Sequence, residues 1–261
     1  MLRAIAETAW NTAMDRAVEV LQTGARNGRI ALLVSPMLSC EDAFLLGRTV
    51  LAIDPSAVLG VGPVPKSGED RTLAGGYTIH SEKAPNARGV RRVLSALAAA
   101  EPARRIAAGS PIVCDATEFL AALTTAGAGV ALITGNYPSE WSTEPFVRAL
   151  STRRFVLLDT LANRLTAVAE SFLPVATWIE KAGCFENAKG RLQSFERAIQ
   201  PIDFVKCEGQ IALDLAMRLS GGKTTIYDAD QVRSQMALVP GLAMFCDQVH
   251  HPPASLSRES D

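Results

Sequence analysis

The sequence predicts an α/β domain: a doubly wound, mainly parallel sheet with helices on both faces and a small hairpin near the C-terminal third. Three observations lead there. Short, wholly apolar runs such as Ile30 to Val34, Val130 to Thr134 and Phe155 to Leu158 alternate with helical segments of about 10 residues, the pattern of parallel strands joined by crossovers. Each run ends in small or polar residues suited to a strand-to-helix corner. Composition is that of an ordinary globule, with 261 residues, 48% hydrophobic and 20% charged.

Ile5, Trp10, Ala13, Met14, Ala17, Val18 and Leu21 recur at helical spacing, so the first element is an amphipathic helix read as ending at Gly24. The strand Ile30 to Val34 stops at Ser35-Pro36. Ser39-Cys-Glu-Asp42 then reads as a capping box that opens a helix through Leu51. Val58 to Val61 is the next strand, and residues 63 to 87 lack any period and read as a long loop. Arg88 to Ala99 is helical and closed by Pro102, and Asp115-x-x-Glu118 caps a helix through Ala126. After the glycines at 127 and 129 come the strand Val130 to Thr134, a helix from Glu144 to Leu150 and the strand Phe155 to Leu158.

Beyond Asp159 the pattern changes. A short helix is expected around Ala162 to Glu170. Gly183 to Asn187 and Arg191 to Phe195 form two arms around Lys189-Gly190, and Glu208 to Leu219 and Asp228 to Leu238 are helices. Residues 1–246 form one domain on this reading, and 247–261 form a frayed tail.

Charge excludes some functions. Twenty-six Lys and Arg against 27 Asp and Glu leave a net charge of −1, without the basic excess that nucleic-acid binding requires. No apolar run reaches the roughly 18 residues of a membrane span, and the N-terminus has no secretory pattern, so the cytoplasm is expected. The five cysteines stand tens of residues apart, outside any metal-ligand spacing.

In such sheets ligands gather at the carboxyl ends of the strands. Four corners qualify: Ser35-Pro36, Gly60-Val61-Gly62, Gly135-Asn136 and Asp159-Thr160. Other signals fail. Gly221-Gly222-Lys223-Thr224-Thr225 resembles the end of a phosphate-binding loop, but Met217 stands at the first glycine position and a helix precedes it. His80-x-Glu82 lacks the cysteines of a zinc deaminase, and His250-His251 lies in the expected tail. No Gly-x-Ser-x-Gly elbow supports a hydrolase.

One segment carries a family signature. From Phe172 to Gln193, the residues Pro174, Thr177-Trp178, Glu180, Gly183, Phe185, Asn187, Gly190-Arg191 and Gln193 match the pattern LPAATW-E--GTF-N-EGR-Q. The segment thereby resembles the molybdopterin oxidoreductase family. Trp10 to Met14 resembles that family's W-EAL helix, Ser39 to Leu46 its TNEEAYLL helix, and Gly135 to Pro138 its G-NP turn, with one extra residue before the proline. Pro85-Asn86-x-x-Gly89 is most similar to the large iron–sulfur subunit of respiratory NADH:quinone oxidoreductase (complex I). Cys184 and Glu170 depart from the family's usual Thr and Asp. Read physically, Gly183 and Gly190 supply turns, and Glu180, Asn187, Arg191 and Gln193 tie them to the core, so the signature is one of packing.

The resemblance implies a domain that has the fold without binding pterin. It would be a non-catalytic scaffold whose partners are iron–sulfur and other subunits of a membrane-associated redox complex. Such a chain is cytoplasmic and peripheral to the inner membrane through those partners. The alternative is that Gly135, Asn136, Asp159 and Thr160 hold a molybdopterin guanine dinucleotide while a partner supplies the metal ligand. A third class is a nucleotide-binding module like the central domain of thiamine diphosphate enzymes.

Overall fold

A computed structural model describes residues 8–101, 113–125 and 127–252. Helix α1 (Trp10–Asn27) leads into β1 (Arg29–Val34), α2 (Cys40–Ile53) and β2 (Val58–Val61). The two-residue strands β3 (Arg71–Thr72) and β4 (Thr78–Ile79) pair antiparallel within the segment expected to be a loop. Then follow α3 (Ala87–Ala100), α4 (Ala116–Thr125), β5 (Ala128–Thr134), α5 (Glu144–Ser151), β6 (Arg154–Asp159) and β7 (Ser171–Pro174). The C-terminal third contains β8 (Gly183–Glu186), β9 (Leu192–Phe195), α6 (Glu208–Ser220), α7 (Ala229–Met236), α8 (Met244–Asp247) and β10 (Val249–His250).

The main sheet has the order β2-β1-β5-β6-β7 and every pairing in it is parallel. Alternate side chains enter opposite cores. Leu32, Val34, Leu132 and Leu158 pack with α1, α2, α3 and α6, whereas Leu33, Ile133, Phe155 and Leu157 pack with Phe119 of α4 and Phe146 of α5. Burial on both faces is why these strands read as unbroken apolar runs rather than as alternating ones. The chain runs from β1 outward to β2, then returns past β1 to begin β5, so the switch point of the sheet lies between β1 and β5.

Three expectations need correction. Helix α1 does not stop at Gly24 but continues to Asn27. Gly24 is a close-packing residue, since a Cβ there would lie 2.2 Å from the Cβ of Val130. The segment from Ala162 to Glu170 is a run of turns rather than a helix. Asn163 redirects it, because its Oδ1 accepts from the Leu165 amide while its own amide donates to Thr166 Oγ1, the local bonding that competes with helix. Gly183 opens β8 against Ser39 instead of making a turn.

The two capping boxes are built as expected. Ser39 Oγ accepts from the Asp42 amide, and Asp115 and Glu118 exchange bonds with each other's amides. Strands β8 and β9 form the expected hairpin, with Gly190 at φ +78 in its turn. Within the segment read as a tail, β10 lies parallel to β9 and His251 Nδ1 is 3.0 Å from Ser194 Oγ. Pro102 and Ala126 lie outside the described residues, as does Ile5. No helix among the described residues is long and apolar enough to cross a membrane.

Candidate functional site

Gly135, Asn136, Asp159 and Thr160 come together at the carboxyl ends of β5 and β6. The centre is the Asp159 carboxylate, which is buried. Its Oδ1 accepts from the Asn136 and Thr160 amides, each at 2.8 Å. Its Oδ2 accepts from the Trp141 indole at 2.9 Å and from Asn163 Nδ2 at 2.7 Å. A carboxylate has about four lone-pair sites, and here four donors of the same chain occupy them.

The neighbouring residues are committed in the same way. Asn136 has φ +72, a left-handed conformation that asparagine tolerates, and this turns its side chain inward. Its Nδ2 donates to the Ala176 carbonyl and to Glu208 Oε1, both at 2.9 Å. Gly135 is required by proximity, because a Cβ there would fall 1.9 Å from Asp159 Oδ2.

The other two corners are tied across the switch point. Thr134 Oγ1 accepts from the Ser35 amide at 2.7 Å and donates to the Leu33 carbonyl, which joins the ends of β1 and β5. Tyr137 donates to the Pro63 carbonyl just past β2, and its ring stacks on Trp141 at 5.0 Å. Burial pushes the Tyr137 phenol above its usual range, so it acts as a hydrogen-bond donor and not as an acid.

Beneath these corners is a cluster that no motif announced. Lys181 is buried between Asp42, at 2.8 Å, and Glu208. Burial alone would lower its pKa, but the two carboxylates outweigh that and hold the ammonium above the usual lysine range. Burial pushes Glu208 up, and Lys181 and Asn136 oppose that shift. Arg233 meets Glu41 at 2.6 Å, and Glu41 Oε2 accepts from the Cys184 amide at 2.8 Å. Asp42 Oδ1 takes the Gly209 amide at the start of α6, so one acid serves two helix N-termini. Burial also raises the Cys207 thiol to about 12, so it is not a ready nucleophile.

Sequence reasoning placed Glu41 and Asp42 in a helix cap, where such residues face water. Nothing in their spacing pointed to Lys181, Glu208 or Arg233, which lie more than a hundred residues away. The signature residues act as packing pieces. Asn86 donates to the Leu38 carbonyl and accepts from the Glu186 amide, linking the start of α2 to β8. Asn187 bonds Gln193 across the hairpin, and Glu180 accepts from Thr177 and from the Ile202 amide. Arg191 contributes its backbone, accepting from the Asn187 amide and donating to Asn187 Oδ1.

The remaining motifs have local roles. Gly221 is the left-handed C-cap of α6, which explains the phosphate-loop likeness. His80 Nδ1 is 2.9 Å from Asp70, and these two residues and Ser81 clamp the β3–β4 hairpin.

Fold and site together define an α/β domain whose distant relatives are oxidoreductases. Over 78 residues, 30% of its length, the chain is 36% identical to a nitrate reductase of Symbiobacterium thermophilum, and over 86 residues it is 29% identical to the probable oxidoreductase YjgC of Bacillus subtilis. These matches span only 10% and 9% of the two relatives. No family model matches the chain.

Proposed function

We propose that this chain is a molybdopterin-oxidoreductase-like layer acting as a non-catalytic scaffold in an NADH:quinone oxidoreductase-type complex. Electrons would travel through iron–sulfur clusters in partner chains, and the assembly would sit on the cytoplasmic side of the inner membrane. Kinship with two oxidoreductases over about a third of the chain supports the redox setting. The signature from Phe172 to Gln193 and the Pro85-Asn86 stretch support the branch.

The observation that carries the scaffold reading is the saturation of Asp159. A dinucleotide at these corners would need a carboxylate or amide free to bond its base or ribose. As arranged, Asp159 accepts four bonds and Asn136 donates two, all within the chain. That commitment, which joins β5, β6 and α6, supports the reading in which these corners hold no guanine dinucleotide. Such a group would supply a redox-active metal held by its pterin sulfurs, and no residue here is assigned to it.

The test is to purify the complex from its native source by a tag on this chain, and to measure iron, molybdenum, tungsten and pterin fluorescence. The expected result is co-purification with iron–sulfur subunits and no pterin held by this chain after the subunits are separated. Stoichiometric pterin on the separated chain would overturn the scaffold reading. Isolation without any iron–sulfur partner would overturn the redox setting.

A further inference from the structure

On the far side of the charge cluster, an open groove of about 600 Å³ runs between the segment from Glu180 to Lys206 and the first turns of α6 and α7. Its ionisable lining is evenly mixed by name: Glu180, Glu196, Asp228 and Asp230 against Lys181, Arg197, Lys206 and Arg233. The pairings remove that balance. Lys181 is neutralised by Asp42 and Glu208, Lys206 by Asp214 at 2.6 Å, and Arg233 by Glu41 and Asp230. Apart from Asp230, those acids stand behind the groove wall. Among the described residues, Glu180, Glu196 and Asp228 have no cation, and only Arg197 is left to oppose them.

The edges of the groove are apolar. Ile202 is 64% exposed and Phe204 72%, and both adjoin lining residues in sequence. Hydrogen bonds from the Ala198 and Ile199 amides to the Ile179 carbonyl hold the two sides of this edge together. Phe204 has φ +65, a strained conformation for a bulky residue, and the Trp10 indole fixes its carbonyl while the ring projects outward. A small-molecule pocket is the reverse, apolar within and polar at a few points.

We infer that this groove docks a polypeptide segment of a partner chain in which Lys or Arg is flanked by apolar residues. The cations would lie along Glu196 and Asp228, and the flanking side chains would cover Ile202 and Phe204. Exposed apolar area beside uncompensated charge marks such a surface, and charge complementarity selects the sign of the occupant. The inference does not depend on the redox assignment.

Calorimetric titration of the full chain with three synthetic peptides of equal length tests it: arginines flanked by leucines, glutamates flanked by leucines, and arginines flanked by serines. The first should saturate at one site, with the other two at least about tenfold weaker. Glu196→Lys, at an exposed position, and Phe204→Gly, where glycine suits the backbone, should each weaken the first peptide about tenfold without changing circular dichroism. The docking surface is refuted if the acidic peptide binds equally well, if both variants bind as the parent does, or if none of the peptides binds. Free arginine binding as tightly as the first peptide would make the groove a small-molecule site and overturn it as well.

Discussion

From Ile30 to Val34, Val130 to Ile133 and Phe155 to Leu158 the sheet is uncharged and apolar, and its two faces enter cores built from hydrophobic clusters. The seam where α2, β8 and α6 meet is equally well buried, yet it contains Glu41, Asp42, Lys181, Glu208 and Arg233. Apolar contacts are non-directional and tolerate repacking. Buried ions are costly unless every partner is present, and they fix one arrangement of the elements that bear them. The sheet is thus held by quantity of burial and the seam by completeness of pairing, so single substitutions should affect them differently.

The largest effect is expected at Lys181. Lys181→Met keeps much of the volume but leaves Asp42 and Glu208 buried without a cation, which should cost about 3–5 kcal/mol of stability. Urea melts at mildly acidic and mildly alkaline pH sharpen the test. Without the ammonium that opposes it, burial should raise the Glu208 carboxyl further above its unfolded value. Stability of the variant is then greatest below the ordinary carboxylate range and is lost as pH rises through the raised value. In the parent, Lys181 is raised alongside Glu208, and the lysine's own contribution is complete below its ordinary value of 10.5 and is lost only above it. A variant as stable as the parent, with an unchanged pH profile, would erase the contrast between seam and sheet.

Asp159→Ala comes next. It leaves the Trp141 indole and the Asn136 and Thr160 amides without their acceptor, and the expected loss is about 3 kcal/mol, the upper end for a buried unsatisfied donor. Loss of the indole bond should also shift tryptophan fluorescence, read against a background of two other tryptophans. A stability change below about 0.5 kcal/mol, the scale of an ordinary surface substitution, would mean that the carboxylate is not the structural knot its bonds indicate.

The same contrast governs what the sequence discloses. The strands of the sheet were legible because burial on both faces requires unbroken apolar runs, and Ser39 and Asp115 were legible because caps act within one turn. The convergence of Gly135, Asn136, Asp159 and Thr160 followed from the general rule for carboxyl ends of parallel strands. Their commitment to one another did not, since Trp141 and Asn163 lie in loops with no period. The Lys181 cluster was invisible because pairing over 139 residues, from Asp42 to Lys181, leaves no local trace. Gly24 misled for a different reason: a glycine that ends a helix and one that admits a neighbouring strand look alike until the neighbour is known.

That glycine provides the smallest test, and it asks how freely the sheet repacks. Gly24→Ala should gain up to about 1 kcal/mol in helix propensity. The new methyl, however, would lie 2.2 Å from the Val130 Cβ, and overpacking of a core costs about 1–3 kcal/mol. The net expectation is a loss of about 1 kcal/mol, measured by urea unfolding. Because the clash is with one side chain of β5, Val130→Ala should relieve it, and the double variant should be more stable than the sum of the two single losses predicts. Additive losses would show that α1 moves away from β5 as a rigid body, and the sheet would then be as intolerant of local change as the charged seam.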